Sequence, residues 1–403
     1  MTRRLPARLA FTWALFAVGL AATPLPAAPL AAGGDVAAAR AQARAAGKLV
    51  LLEFGAEWCS GCKLFARDAE SVPEVQRALA TVVLLPVDAE KGAAVALAKQ
   101  FRVQGFPTFV LTDPEGQPVD RWLGYSTPAD FGARLSSALA DPTTIAAKQA
   151  RLERAPTAAD AARLAGIRVS ESDLRAGLTL YRRARALAPQ VPGGWAHEIF
   201  GAVEMGTLAG VPGFTADSLR AAADLVLAAT PPDPADLLHV ASTMRIVGSR
   251  TRHPELAAPY LAAAVAATAA VTDTALREQR QALLPDHALF VEKDVRKAAR
   301  LQRAAMPAGW QDDAAKLNEY AWWCFQNDVN LKDAEKLARR GVKLAAPGRD
   351  KAMLLDTLAE IRARRGDARE AAALSEQAMR EVPASVYYPR QAARFRQAAG
   401  STQ

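Results

Sequence analysis

The chain has 403 residues, 51% of them hydrophobic and 23% charged, with a formal net charge of +8. This is enough apolar material for two or three cores at about 150 residues per domain, and it excludes wholesale disorder, which goes with few apolar residues. Arg3, Arg4 and Arg8 supply part of the positive excess, and the rest is too thin over such a length to argue for nucleic acid. Three cysteines exclude a disulfide-stapled miniature fold, and four scattered histidines give no metal-ligand spacing.

Residues 1–32 read as a secretory signal peptide. The three arginines form a positive start and an apolar run follows over residues 9–22. That run is short of the ~20 residues that span a bilayer as a helix. A Pro/Ala-rich stretch over residues 23–32 then offers small residues for cleavage. The expectation is an exported chain, and its heavy use of Ala and Arg suggests a GC-rich bacterial genome and hence the periplasm. It would meet a membrane only through this segment, and only if the segment stays uncleaved.

Residues 35–48 have helical composition with Asp35 placed as the cap. Residues 48–54, Lys-Leu-Val-Leu-Leu-Glu-Phe, read as a central strand covered on both faces. Trp58-Cys59-Ser60-Gly61-Cys62-Lys63 then leads into a helix that bends near Pro73 and resumes to about Ala80. Another buried-type strand covers 81–87 and a helix 90–101. Strands at 108–112 and 119–123 are joined by the turn Asp113-Pro114-Glu115-Gly116, and a helix over 127–139 closes the unit. The order β-α-β-α-β-β-α, with Cys-x-x-Cys after a strand, predicts an α/β thioredoxin-like domain over residues 35–142.

These residues resemble the thioredoxin superfamily directly. The stretch 51–63 is similar to its active site, Gly105-Phe106-Pro107-Thr108 to its cis-proline loop, and Gly124 falls where the family has a glycine after its last strand. Within the superfamily the chain is most similar to the C-terminal periplasmic thioredoxin-like domain of DsbD-type disulfide reductases. These show an acidic residue, Trp, Cys, two residues and Cys-Lys, followed by a helix like Pro73-Glu74-Val75-Gln76-Arg77-Ala78-Leu79. The resemblance covers about a quarter of the chain.

Cys59 at a helix start would meet unpaired backbone N–H groups and the positive end of the helix dipole, which stabilise the attacking thiolate. Cys62 follows one turn later on the same face and can resolve a mixed disulfide. A half zinc site would need a second cysteine pair or spaced histidines. Glu53 interrupts an apolar strand, where an unpaired carboxylate costs several kcal/mol; either the strand twists to bring it to solvent, or it is held there for a task.

The resemblance implies that Glu53 takes the proton of Cys62 as that thiol attacks. It also implies a cis Pro107, with the Phe106 backbone pairing an extended substrate strand. Trp58 would pack as an apolar wall beside the sulfurs, in a structural role or in contact with substrate. Ser60-Gly61 would tune the redox potential without revealing its direction, and Glu57 and Lys63 flank the site. No cofactor beyond the redox-active disulfide Cys59–Cys62, and no metal, is implied. The implied partners are protein disulfide or dithiol clients and a membrane electron donor of the DsbD type, since one short apolar segment cannot carry electrons across a membrane.

Residues 143–157 read as a linker, helical or flexible. Residues 158–397 are Ala/Leu/Arg-rich at helical spacing, punctuated by Pro and Gly, with no convincing strand. Leu358-Ala359, Gly366-Asp367, Ala371, Ala378 and Pro383 match tetratricopeptide spacing; Asn318, Ala321, Ala334 and Pro347 form a diverged copy, and Tyr181, Ala184 and Pro189 the tail of another. The expectation is an all-α helical-hairpin, tetratricopeptide-like domain, with a non-repeating bundle as the alternative. Tyr320, Trp322, Trp323 and Phe325 around Cys324 read as repeat-core packing, or with one Trp in a binding groove.

Two functions stay open. One is an exported thiol–disulfide oxidoreductase that reduces or isomerises client disulfides, with the helical domain binding partners. The other is a non-enzymatic scaffold or chaperone-like protein whose active part is the helical array. An oxidase is a third reading, separated by the potential of the cysteine pair.

Overall fold

The computed structural model describes residues 35–400; the secretory signal expected over residues 1–32 lies outside them. The chain divides into two compact units between Lys148 and Gln149.

In the first unit, α1 (Val36–Ala46) is followed by β1 (Val50–Gly55), α2 (Ser60–Ser71), α3 (Pro73–Leu79), β2 (Val83–Asp88), α4 (Ala94–Gln100), β3 (Thr108–Thr112), β4 (Pro118–Leu123) and α5 (Pro128–Ala140). Asp35 caps α1 by accepting the N–H groups of Ala37 and Ala38. Pro73 separates α2 from α3 because it holds Val72 in an extended conformation. The sheet order is β2-β1-β3-β4, with β1 parallel to β2 and antiparallel to β3, and β3 antiparallel to β4.

β1 is an interior strand buried along its whole length, which is why its sequence is a nearly unbroken apolar run. Its alternation decides what each residue meets. Val50, Leu52 and Phe54 pack with Ala39, Ala43 and Ala98 of α1 and α4. Leu51 packs with Phe65, Val75 and Phe131 of α2, α3 and α5. The two-residue period therefore sends Glu53 and Gly55 to the α2 side as well. That side is aromatic: Phe109 lies 4.9 Å from Phe65 and stacks on Trp122 at 5.2 Å.

The helix expected from residue 90 starts later, at Ala94. The Asp88 carboxylate accepts the Glu90 N–H at 3.2 Å, and Gly92 takes a positive φ of 53°. A turn replaces the first helical turn and leaves Glu90 available to the site.

The stretch expected as a linker contains α6 (Ile145–Arg154). Its Lys148 is 2% exposed and donates to the carbonyl oxygens of Val119 at 3.0 Å, Asp141 at 2.9 Å and Thr143. Three carbonyls stand in for the water that a buried ammonium loses. Lys148→Met removes all three donors, and we expect a loss of about 2–4 kcal/mol in urea unfolding. An unchanged midpoint would show that these bonds do not hold the end of the domain.

The second unit is helical throughout. It runs α7 (Ala158–Ser170), α8 (Leu174–Leu187), α9 (Ala196–Leu208), α10 (Ala216–Leu227), α11 (Pro234–Thr251), α12 (Ala258–Ala267), α13 (Thr274–Phe290) and α14 (Val295–Ala304). The series closes with α15 (Ala314–Gln326), α16 (Leu331–Leu344), α17 (Arg349–Arg364), α18 (Ala368–Glu381) and α19 (Tyr387–Gly400). Consecutive helices pack as hairpins, α7 on α8, α15 on α16 and α17 on α18 among them. The small residues at the repeat spacing, Ala321, Ala334, Ala359, Ala371 and Ala378, are all fully buried at these seams. At Gly341 a Cβ would stand 2.5 Å from the end of the Leu354 side chain, so a larger residue there would force that side chain to shift. Between α17 and α18, Gly366 adopts φ 91° and Asp367 caps the next helix by accepting the Glu370 N–H at 2.9 Å.

Cys324 is fully buried, and burial pushes its thiol up to about 12, so it stays protonated. Among the described residues no helix is long and apolar enough to cross a membrane.

Candidate functional site

Cys59 is the N-cap of α2, extended at φ −71° and ψ 111°, so that the chain turns into the helix immediately after it. Its Sγ accepts the N–H of Cys62 at 3.0 Å. Cys62, one turn on, is bonded to it, with an S–S distance of 2.13 Å and Cα atoms 5.3 Å apart. Cys59 is only 4% exposed and Cys62 is half-buried. The i, i+3 spacing sets the reach between the sulfurs but not their access to solvent.

Glu53 is 9% exposed and does not twist out to solvent. Its Oε1 is buried with no hydrogen-bond partner among the described residues. Loss of hydration pushes its carboxyl up to about 8, so the neutral form dominates at neutral pH. What it shares with the cysteines is Gly55. A Cβ built there would stand 3.0 Å from Glu53 Oε1 and 3.1 Å from Cys62 Sγ. The acid and the second sulfur border the same small space, kept open by the missing side chain. Sequence reasoning passed over Gly55, although its place two residues after Glu53 on a strand was the available signal. We expect Gly55→Ala to displace both groups and to cost about 1–3 kcal/mol in thermal unfolding of the oxidised protein. An unaltered melting curve would mean that the space is slack.

On the other side of the disulfide, the Phe106–Pro107 peptide is cis. A Cβ on Gly61 would lie 3.1 Å from Pro107 Cδ, so the dipeptide between the cysteines is packed against this proline. The Pro107 carbonyl accepts the Gly124 N–H at 2.8 Å, where Gly124 has φ 89°. The Phe106 ring meets Trp58 edge to face at 5.8 Å.

Trp58, expected as an apolar wall beside the sulfurs in a structural role or in contact with substrate, stands out, 68% exposed. Its indole N–H donates to both Glu90 carboxylate oxygens, at 3.0 and 3.1 Å. Glu90 is a site residue that sequence reasoning missed, because it read as the first residue of a helix. Ser60, Lys63 and Glu57 are exposed, and Glu57 pairs with Lys91, which also pairs with Asp88 at 2.9 Å. Among the described residues no group of three His, Cys, Asp or Glu side chains could hold a metal ion.

A family model described as a thioredoxin-like domain matches residues 36–139. The first unit is a thioredoxin-like domain. The chain is similar to the thiol:disulfide interchange protein DsbD of Cronobacter sakazakii, 42% identical over 104 residues, which is 25% of this chain and 18% of that protein. The corresponding protein of Escherichia coli K12 is 41% identical over 100 residues, 24% of this chain and 18% of that one. The chain thus spans under a fifth of the length of these curated relatives. Among solved structures, a thioredoxin from Thermus thermophilus is 32% identical over 25% of this chain and 82% of that chain, with a TM-score of 0.24. A tetratricopeptide repeat protein from Parabacteroides merdae is 11% identical over 66% of this chain and 95% of that one, with a TM-score of 0.36. The thioredoxin-like domain brings Cys59, Cys62, Glu53, Phe106 and Pro107 to one locality, while Cys324 belongs to the core of the helical unit.

Proposed function

We propose that this chain is a thiol–disulfide oxidoreductase that reduces or isomerises disulfides of exported proteins in the periplasm, with its helical unit binding partners. The observation that carries the reading is the buried Glu53 carboxyl bordering the Cys62 sulfur across Gly55, at a disulfide that opens a helix. Similarity of the domain to DsbD proteins supports the same chemistry.

In the reducing direction the reduced pair begins the cycle. Cys59 thiolate attacks a client disulfide; a Cys59–client S–S bond forms, the client S–S bond breaks, and the departing client thiolate takes up a proton. Glu53 in its carboxylate form, the ionised fraction of a group that titrates near 8, then takes the Cys62 proton as Cys62 attacks Cys59 Sγ. The Cys59–Cys62 bond forms, the mixed disulfide breaks, and the second client thiolate is released and protonated. The client gains two electrons and two protons, and the enzyme is left oxidised, in the form described above. A carboxyl that titrates near 8 suits both accepting this proton and returning it. The pair itself is the working redox group. Its re-reduction is assigned to a dithiol on a membrane electron donor of the DsbD type.

The Phe106 backbone beside the cis bond offers its N–H and C=O to an extended client segment, and Trp58 forms a ledge next to it. Glu90 acts through Trp58 as a positioning residue. Glu90→Ala should raise KM for a disulfide-bonded protein about threefold to tenfold with little change in kcat, and leave reduction of a small disulfide unaltered. An equal fall for both substrates would refute the positioning role.

The direct test mixes pre-reduced full-length protein with a disulfide-bonded reporter protein and counts reporter thiols. We expect stoichiometric transfer of two electrons per chain. If the Cys59–Cys62 dithiol persists without transfer, the reading fails.

A further inference from the structure

We propose that the helical unit carries a second binding site, a cationic groove with an aromatic floor that takes an acidic, extended segment of a partner protein. The groove is a cavity of about 750 Å³ lined from α11, α13, α15, α17 and α19, within the ~300–1,000 Å³ of ordinary ligand sites.

Its floor comes from the aromatic cluster around Cys324, which the structure divides. Tyr320 and Cys324 turn into the core of the unit, and Trp323, largely buried there, reaches the groove at Asp286, to which its indole N–H donates at 3.3 Å. Trp322 and Phe325 stay half-buried, their rings 5.1 Å apart, and line the groove with Phe290 and the exposed Ile246. Apolar surface left open in a concave site is the part of a surface most able to gain from a partner's side chains.

The walls supply charge. Arg245, Arg250, Arg252, Arg364 and Arg394 line the groove, against only two carboxylates, Asp286 and Glu360. Both carboxylates are already engaged, Asp286 by Arg245 at 3.6 Å and Glu360 by Arg394. Arg364 lies over the Phe325 ring at 5.0 Å and pairs with Asp328 at 3.5 Å. Arg250 and Arg252 have no carboxylate partner among the described residues, and Arg245 Nε is buried without a hydrogen-bond acceptor. The positive potential therefore lacks an internal counter-charge at the α11 end, so the complementary ligand is anionic.

Shape and composition favour a peptide. A recessed floor of Trp322, Phe325 and Ile246 accepts side chains from an extended chain, whereas a flat bilayer cannot enter it. A nucleic acid strand needs a line of cations that follows its phosphates, and here the unpaired arginines stand together at one end. The groove does not depend on the chemistry of Cys59 and Cys62.

The experiment follows the anisotropy of a fluorescein-labelled octapeptide, Asp-Glu-Phe-Asp-Glu-Leu-Asp-Glu, titrated with the full-length protein at low salt. We expect a micromolar Kd and no binding of the peptide with Lys at every acidic position. Arg250→Glu/Arg252→Glu, both at exposed positions, should weaken binding by at least about tenfold. Trp322→Ala should do the same, with Tm and circular dichroism checking its fold. Equal affinity for acidic and basic peptides, no loss on the double charge reversal, or tighter binding of oligothymidylate or of anionic phosphatidylglycerol vesicles would each overturn the proposal.

Discussion

A Cys62→Ser chain should capture clients on Cys59 and fail to release them, so that covalent adducts accumulate on non-reducing gels and vanish with reductant. Cys59 Sγ sits at a helix start and accepts the Cys62 N–H at 3.0 Å, a donor that belongs to the backbone and survives this substitution. Capture should therefore proceed, while the serine hydroxyl cannot displace the client sulfur. Multiple-turnover activity should fall by about a thousandfold or more. Cys59→Ser should form no adduct. With both positions Ser, an exchange enzyme loses its clients, whereas a scaffold built on the helical array keeps them; retention by the double variant would decide for the scaffold.

Glu53→Gln should separate two effects of opposite sign. Resolution of the mixed disulfide should slow by about 10²–10⁴-fold, the usual share of a positioned acid–base group, with capture by Cys59 nearly unchanged. Stability should move the other way. The Glu53 carboxyl is raised from 4.5 to about 8 in the folded protein, so between those values the native state holds a proton that the unfolded state has lost. Stability contributed by this site then falls as pH rises from about 4.5 to about 8, and the full cost applies above that. At about 1.4 kcal/mol per pKa unit the cost is roughly 3–5 kcal/mol. Glutamine never ionises, so the oxidised variant should exceed the parent in urea unfolding at about pH 9, with the gap closing towards about pH 5. A gap independent of pH, or equal slowing of capture and release, would remove Glu53 from the mechanism.

Much of this site is legible in order along the chain, because its parts are local. The apolar run of β1 marks an interior strand, Pro73 marks the break between α2 and α3, and Cys59 and Cys62 are one turn apart by spacing alone. What could not be read depends on long-range partners or on a choice between faces. Glu90 meets Trp58 from 32 residues away, and its availability rests on a turn made by Asp88 and Gly92 that helix propensity does not reveal. Lys148 reads as one more linker lysine until the carbonyls of Val119, Asp141 and Thr143 surround it. In α15 four aromatics lie within six consecutive residues, so periodicity cannot say that Trp322 and Phe325 stay half-buried in the groove while Tyr320 turns into the core and Trp323 is buried between the two.

The enclosure of Cys324 bears on how the chain survives oxidation. Three thiols allow three different bridges, and two of these would staple the helical unit to the thioredoxin-like domain. A protonated sulfur sealed inside the helical unit, which follows the thioredoxin-like domain in chain order, stays out of reach. The Cys59–Cys62 pair can close first, and scrambling thereafter would require the helical core to open.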